Sequence, residues 1–141
     1  MKIPSLVLHM IPLCIMVFLP SVSAALAQDA LIGQREYREH CAACHGLEGR
    51  GDGPIGQFLK IPAPNLTLIA ARNGGRYPVQ KVSEIIDGSS VLAAHGTRDM
   101  PLWGDRYRRS AAPVTPDQAN LASDIAQQRI LSLVYYLGTL Q

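Results

Sequence analysis

Apolar residues along the chain recur at helical spacing, and no stretch alternates convincingly in the manner of a strand. The clearest run is C-terminal. There Ala122, Ala126, Ile130, Leu133, Val134, Leu137 and Leu140 form one stripe along a predicted helix. Thr115-Pro116-Asp117-Gln118 precedes it as a capping box, with proline at the first helical position. A middle helix is predicted from Val79, Val82, Ile85 and Ile86, between Pro78 at its first position and Gly88 at its stop. A first helix spans about residues 29–40, in which Gly33 and Tyr37 share a face that Cys41 continues, the glycine admitting a close neighbour. Between the first and middle helices, Gly46, Gly49, Gly51, Gly53 and Gly56 with Pro54, Pro62 and Pro64 predict a long loop, then a short helical turn after Thr67 that ends at Gly74-Gly75. With no internal repeat, the pattern predicts an all-α fold.

The first residues follow a different pattern. Lys2 is followed by Ile3 to Leu26 without Asp, Glu, Lys or Arg, and Ala25-Leu26-Ala27 before Gln28 has the form of a small-x-small cleavage site. Residues 1–27 are therefore expected to be a signal peptide and residues 28–141 a single domain. An uncleaved anchor is the alternative, although Pro4, Pro12 and Pro20 make this run a poor membrane helix. Cys14 lies inside the run behind Pro12-Leu13 and is expected to leave with it. Losing Lys2 from the 13 Lys and Arg leaves a balance of +1 against 11 Asp and Glu, which gives no case for nucleic acid binding.

Candidate chemistry is concentrated in Cys41-Ala42-Ala43-Cys44-His45. Cys-x-x-Cys-His is the attachment pattern of c-type haem: two thiols form thioethers to the two vinyl groups, and the adjoining imidazole becomes the proximal iron ligand. A redox dithiol or half of a zinc site are the other readings of the residues. A zinc site would need a second pair of ligands, and His45 directly abutting Cys44 makes a shared tetrahedral ion awkward. With both cysteines assigned to haem, no pair is left for a structural disulfide, and the macrocycle would take over that role in a small core.

Over residues 29–141 the chain resembles the class I cytochromes c, the bacterial monohaem kind especially. The resemblance is carried by Gly33 and Tyr37 ahead of Cys-x-x-Cys-His-Gly, by Pro62-Ala63-Pro64-Asn65-Leu66, and by Asp99-Met100-Pro101-Leu102-Trp103-Gly104 before an aromatic-containing last helix. It implies a cytochrome c fold of three to five helices around one haem c per chain, covalently held by Cys41 and Cys44. It also implies that the first and last helices cross closely, pairing Gly33 and Tyr37 with residues near Tyr136 and Leu137. His45 and Met100 would be the two metal ligands, Met100 being presented by a loop that Pro101 stiffens. His95, in the same loop, is the competing ligand. Pro64, or otherwise Pro62, would offer a carbonyl to the free ring N–H of His45. Leu66 and Leu68 would pack on the porphyrin, and Tyr77, Arg76 and Trp103 would bond a propionate, or else simply pack.

The function expected from these features is single-electron transfer in the periplasm between redox protein partners of a respiratory chain, with no catalytic residue. A membrane-bound oxidase, reductase or dehydrogenase would be one such partner. Arg106, Arg108 and Arg109 would either steer docking to an acidic partner or form a solvated loop. Three alternatives remain: an electron-transfer subunit of an oxidoreductase complex, an open-site haem protein that binds a small gas or peroxide, and a non-haem dithiol protein.

Overall fold

A computed structural model describes residues 22–90, 100–111, 115 and 118–141; of residues 22–28 and 119 only the backbone is described. The expected leader up to residue 21, His95 and part of the capping box (Pro116 and Asp117) lie outside the described residues. Among the described residues there are six α-helical segments and no strand. They are α1 (Val22–His40), α2 (Ala42–His45), α3 (Ile69–Arg72), α4 (Val79–Asp87), α5 (Trp103–Ser110) and α6 (Ala119–Thr139). Single 3-10 turns cover Gly56–Phe58 and Leu66–Leu68. The expected cleavage point between Ala27 and Gln28 falls inside α1 of the full chain.

The packing of α1 against α6 organises the core. A Cβ on Gly33 would stand 1.9 Å from the Ser132 carbonyl oxygen and 2.9 Å from Tyr136 Cβ, so the two backbones touch where no other residue could be accommodated. One turn on, the fully buried Tyr37 ring packs on Tyr136 with centroids 5.3 Å apart. The predicted stripe of α6 is the buried face: Ala122, Ala126, Ile130, Leu133, Val134 and Leu137 are inside, and Leu140 packs against the same cluster. Upstream of α6, the Thr115 backbone N–H donates to Gln118 Oε1 (3.3 Å), as the expected capping box would have it. The helix itself starts only at Ala119, with Gln118 and not Thr115 as its N-cap and no side-chain cap bond.

In α4 the spacing buries Val82 and Ile86, while Val79 at its start is exposed. Gly88 ends the helix in the left-handed region (φ 89°), its N–H donating to the Glu84 carbonyl. Pro78 caps α4 from just outside it and does not occupy the first helical position.

Segment α5 is a helix where sequence spacing marks none and where a solvated loop is one reading of Arg106, Arg108 and Arg109. Its sequence, WGDRYRRS, is too polar for a stripe, yet Trp103 and Tyr107, four apart, are both buried on one side. Asp105 in its first turn and Arg108 and Arg109 in its last also suit the helix dipole.

Because α1 and α6 meet backbone to backbone, Gly33→Ala is expected to cost about 3 kcal/mol, the upper end of overpacking penalties. Denaturant unfolding of the mature protein measures this, and an unchanged midpoint would contradict the packing described.

Candidate functional site

The Cys-x-x-Cys-His segment is presented by the end of α1. Cys41 follows directly on α1, its N–H donating to the Tyr37 carbonyl (2.8 Å), and Ala42–His45 complete a further turn as α2. Cys41 and Cys44 are free, half-buried thiols. The loop that follows folds back onto this turn: Gly51 N–H donates to the His45 carbonyl (2.8 Å), Gly53 to Cys44 (3.2 Å) and Ile55 to Ala43 (2.9 Å). The Tyr37 hydroxyl donates to the Gly46 carbonyl at 2.7 Å, and burial holds that phenol well above its ordinary pKa. Gly51 makes the fold-back possible, since its φ of 84° and a would-be Cβ 2.4 Å from the Ala63 carbonyl exclude any side chain.

His45 is buried, and its Nδ1 lies 3.2 Å from the Pro64 carbonyl oxygen. A carbonyl can only accept, so Nδ1 carries the hydrogen and Nε2 keeps a free lone pair. Burial lowers the His45 pKa, with the Pro64 bond opposing it, and so favours the neutral ring that a metal requires. Of the two candidate prolines, Pro64 is the one that meets His45.

Cys41 has the opposite character to a reactive thiol. Burial first, then the Glu36 carboxylate and Cys44, push it up to about 12. Burial thus favours the neutral form of the Cys41 sulfur. Among the described residues, no group of three His, Cys, Asp or Glu side chains is placed to hold a metal ion. The loop after the motif exposes Ile55, Phe58, Ile61 and Leu68, and Met100 is 38% exposed. This is uncovered apolar surface of the kind a macrocycle would bury. The donor set and its surroundings therefore fit a covalently held haem.

A family model described as Cytochrome c matches residues 30–141. The chain belongs to the cytochrome c family. No curated protein and no solved structure matches it significantly. This cytochrome c has the all-α fold of its family, and the family carries electrons on covalently bound haem c, for which Cys41 and Cys44 have the attachment spacing. Among the described residues no helix is long and apolar enough to cross a membrane.

The remaining predicted residues are placed as follows in this cytochrome. Met100 lies in the bend just before α5. Trp103 is buried at the start of α5, with ring centroids 4.9 Å from His40 and 5.6 Å from Tyr107. Tyr77 donates its hydroxyl hydrogen to the Val134 carbonyl (2.9 Å), so a propionate bond from that phenol would require giving this contact up. Arg76 is exposed, and its carbonyl accepts from the Asn73 side chain. Leu66 packs against the protein core, whereas Leu68 is exposed. Arg108 pairs with Asp105, and Arg106 lies over the Trp103 ring at 5.2 Å. Sequence reasoning missed Glu36, His40 and Arg129, which surround Trp103 and Tyr107. Glu36 and Arg129 stand 93 positions apart, and no local spacing signals their contact.

Tyr77→Phe discriminates the two uses of that phenol. Loss of one hydrogen bond to α6 is expected to cost about 1 kcal/mol in thermal unfolding. The reduction potential should not change, whereas a shift in potential would place the phenol on a propionate.

Proposed function

We propose that this cytochrome c is a periplasmic carrier of single electrons, holding one haem through Cys41 and Cys44 and binding its iron with His45 and Met100. The observation that carries the reading is the buried His45, with Nδ1 tied to Pro64 and Nε2 left free, on the same turn as the two thiols. Bound haem supplies a one-electron ferric/ferrous couple at an iron whose potential its axial ligands set.

The chain's own residues have distinct parts in this. Cys41 and Cys44 tether, which leaves no thiol to react. His45 would offer its Nε2 lone pair from a ring that the Pro64 carbonyl holds in one orientation, on a turn braced by the loop's bonds to Ala43, Cys44 and His45. Met100 would supply the second, thioether ligand, a donor that favours ferrous iron and raises the potential. Ligation by both residues would leave no protein group for bond chemistry. A leader at residues 1–27 would deliver the chain to the compartment where such a haem is attached.

Electrons would come from and go to other redox proteins, membrane-bound oxidase, reductase or dehydrogenase complexes among them. The exposed arginines of α5 would supply a docking charge for an acidic partner: Arg109 is exposed, and Arg106 is exposed while its guanidinium lies over the Trp103 ring.

A potentiometric titration tests the carrier reading. The protein should titrate reversibly with one electron, and Met100→Ala should lower the midpoint and let the ferrous form bind carbon monoxide. An unchanged midpoint in that variant would remove Met100 as the ligand. Replacing Arg106 and Arg109 with Glu should slow electron exchange with an acidic partner at low salt, the difference shrinking as ionic strength rises. Equal rates at low salt would exclude docking through α5.

A further inference from the structure

A buried polar cluster outside the ligand set joins α1, α5 and α6. Glu36 is only 6% exposed, and its two carboxylate oxygens accept from Arg129, Oε1 from Nε at 3.0 Å and Oε2 from Nη2 at 2.8 Å. This fork-to-fork geometry is the most directional pairing available to these side chains. The same guanidinium reaches α5 twice. Its Nη1 donates to Ser110 Oγ at 3.2 Å, and its plane lies 4.0 Å over the Tyr107 ring centroid. One turn beyond Glu36, His40 places Nε2 3.5 Å from Glu36 Oε2 and 3.5 Å from Arg129 Nη2, while its ring stacks on Trp103 and meets Tyr107 edge-on.

We propose that Glu36 and Arg129 form a clasp that positions Met100 by fixing α5 against α1 and α6. The inference rests on the His45/Met100 reading and assigns the residues that set the second ligand in place. An eight-residue helix as polar as α5 has little stability of its own, so its location is decided by what grips it. The clasp grips its far end at Tyr107 and Ser110, and the aromatic stack on His40 grips its near end at Trp103. On the other side Gly104 lies against the Asp87 carbonyl and Leu102 against Gly88. Only Pro101 and Leu102 separate Met100 from Trp103, and Pro101 restricts that link. A displacement of α5 therefore passes to the Met100 thioether with little loss. Glu36 and Arg129 touch no reacting atom and are positioning residues.

The test uses holoprotein carrying E36Q together with R129M, which removes both charges so that neither is left buried alone. Expected are retained haem and helix content with loss of the far-red band that methionine gives ferric haem, a lower potential and new carbon monoxide binding. Leu137→Ala, a core change that touches neither partner, should keep all three wild-type readouts at a comparable loss of stability. Arg129→Lys, which keeps the charge but not the fork or the planar stack, should fall between. If the double variant yields no holoprotein, Tyr107→Leu, which leaves the pair but removes the ring beneath it, is held to the same readouts. A wild-type band, potential and indifference to carbon monoxide in either variant would overturn the clasp while leaving His45/Met100 ligation standing. Wild-type protein that itself lacks the band and binds carbon monoxide would overturn the ligation, and the clasp with it.

Discussion

Everything in this cytochrome depends on how closely α1 approaches α6. At Gly33 the backbone of one helix lies on the Ser132 carbonyl of the other, a separation that leaves no room for even a methyl group. That contact lets the Tyr37 and Tyr136 rings pack together, and it sets the height at which α1 ends and the Cys-x-x-Cys-His turn begins. The Tyr37 hydroxyl then links the crossing to the turn by donating to the Gly46 carbonyl. Packing of two helices and placement of the haem-attachment residues are thus one constraint, imposed by a glycine and a tyrosine one turn apart.

From that turn outward the loop is held by hydrogen bonds to its own starting point. Gly51, Gly53 and Ile55 return to the carbonyls of His45, Cys44 and Ala43, and Leu66 N–H returns to Gly49. Pro64 is thereby brought under His45. Through the Nδ1 contact with Pro64, this arrangement sets the tautomer and ring orientation that a proximal ligand would have to supply. It also explains how a long loop without a disulfide can present a ligand rigidly: its backbone groups are paired, and a covalent macrocycle would cover the apolar side chains left outside.

Much of this was legible from local pattern. The α6 stripe, the α4 spacing, the Gly33/Tyr37 face and the attachment motif are all short-range signals, and each lies where spacing places it. Pro64, preferred to Pro62 for the His45 contact, is the one that the loop's fold-back brings there. The helix α5 was hidden by its composition: three arginines and an aspartate mask a pair of aromatics whose burial faces are supplied by His40 and Arg129, far away in the chain. The same long range concealed Glu36 and Arg129. Tyr77 donates to the Val134 carbonyl and fastens the segment ahead of α4 to α6, a contact 57 positions apart that residue type alone does not signal.

The proposal stands on His45 and Met100 as the two ligands of one haem iron attached at the Cys41–His45 turn. The most direct test is the optical spectrum of protein matured with the haem-attachment machinery, recorded oxidised and reduced, then reduced under carbon monoxide. The account predicts a sharp low-spin reduced spectrum, a weak far-red band when oxidised, and no response to carbon monoxide. A high-spin spectrum with a large carbon monoxide shift would contradict it and put an open haem site in place of the carrier.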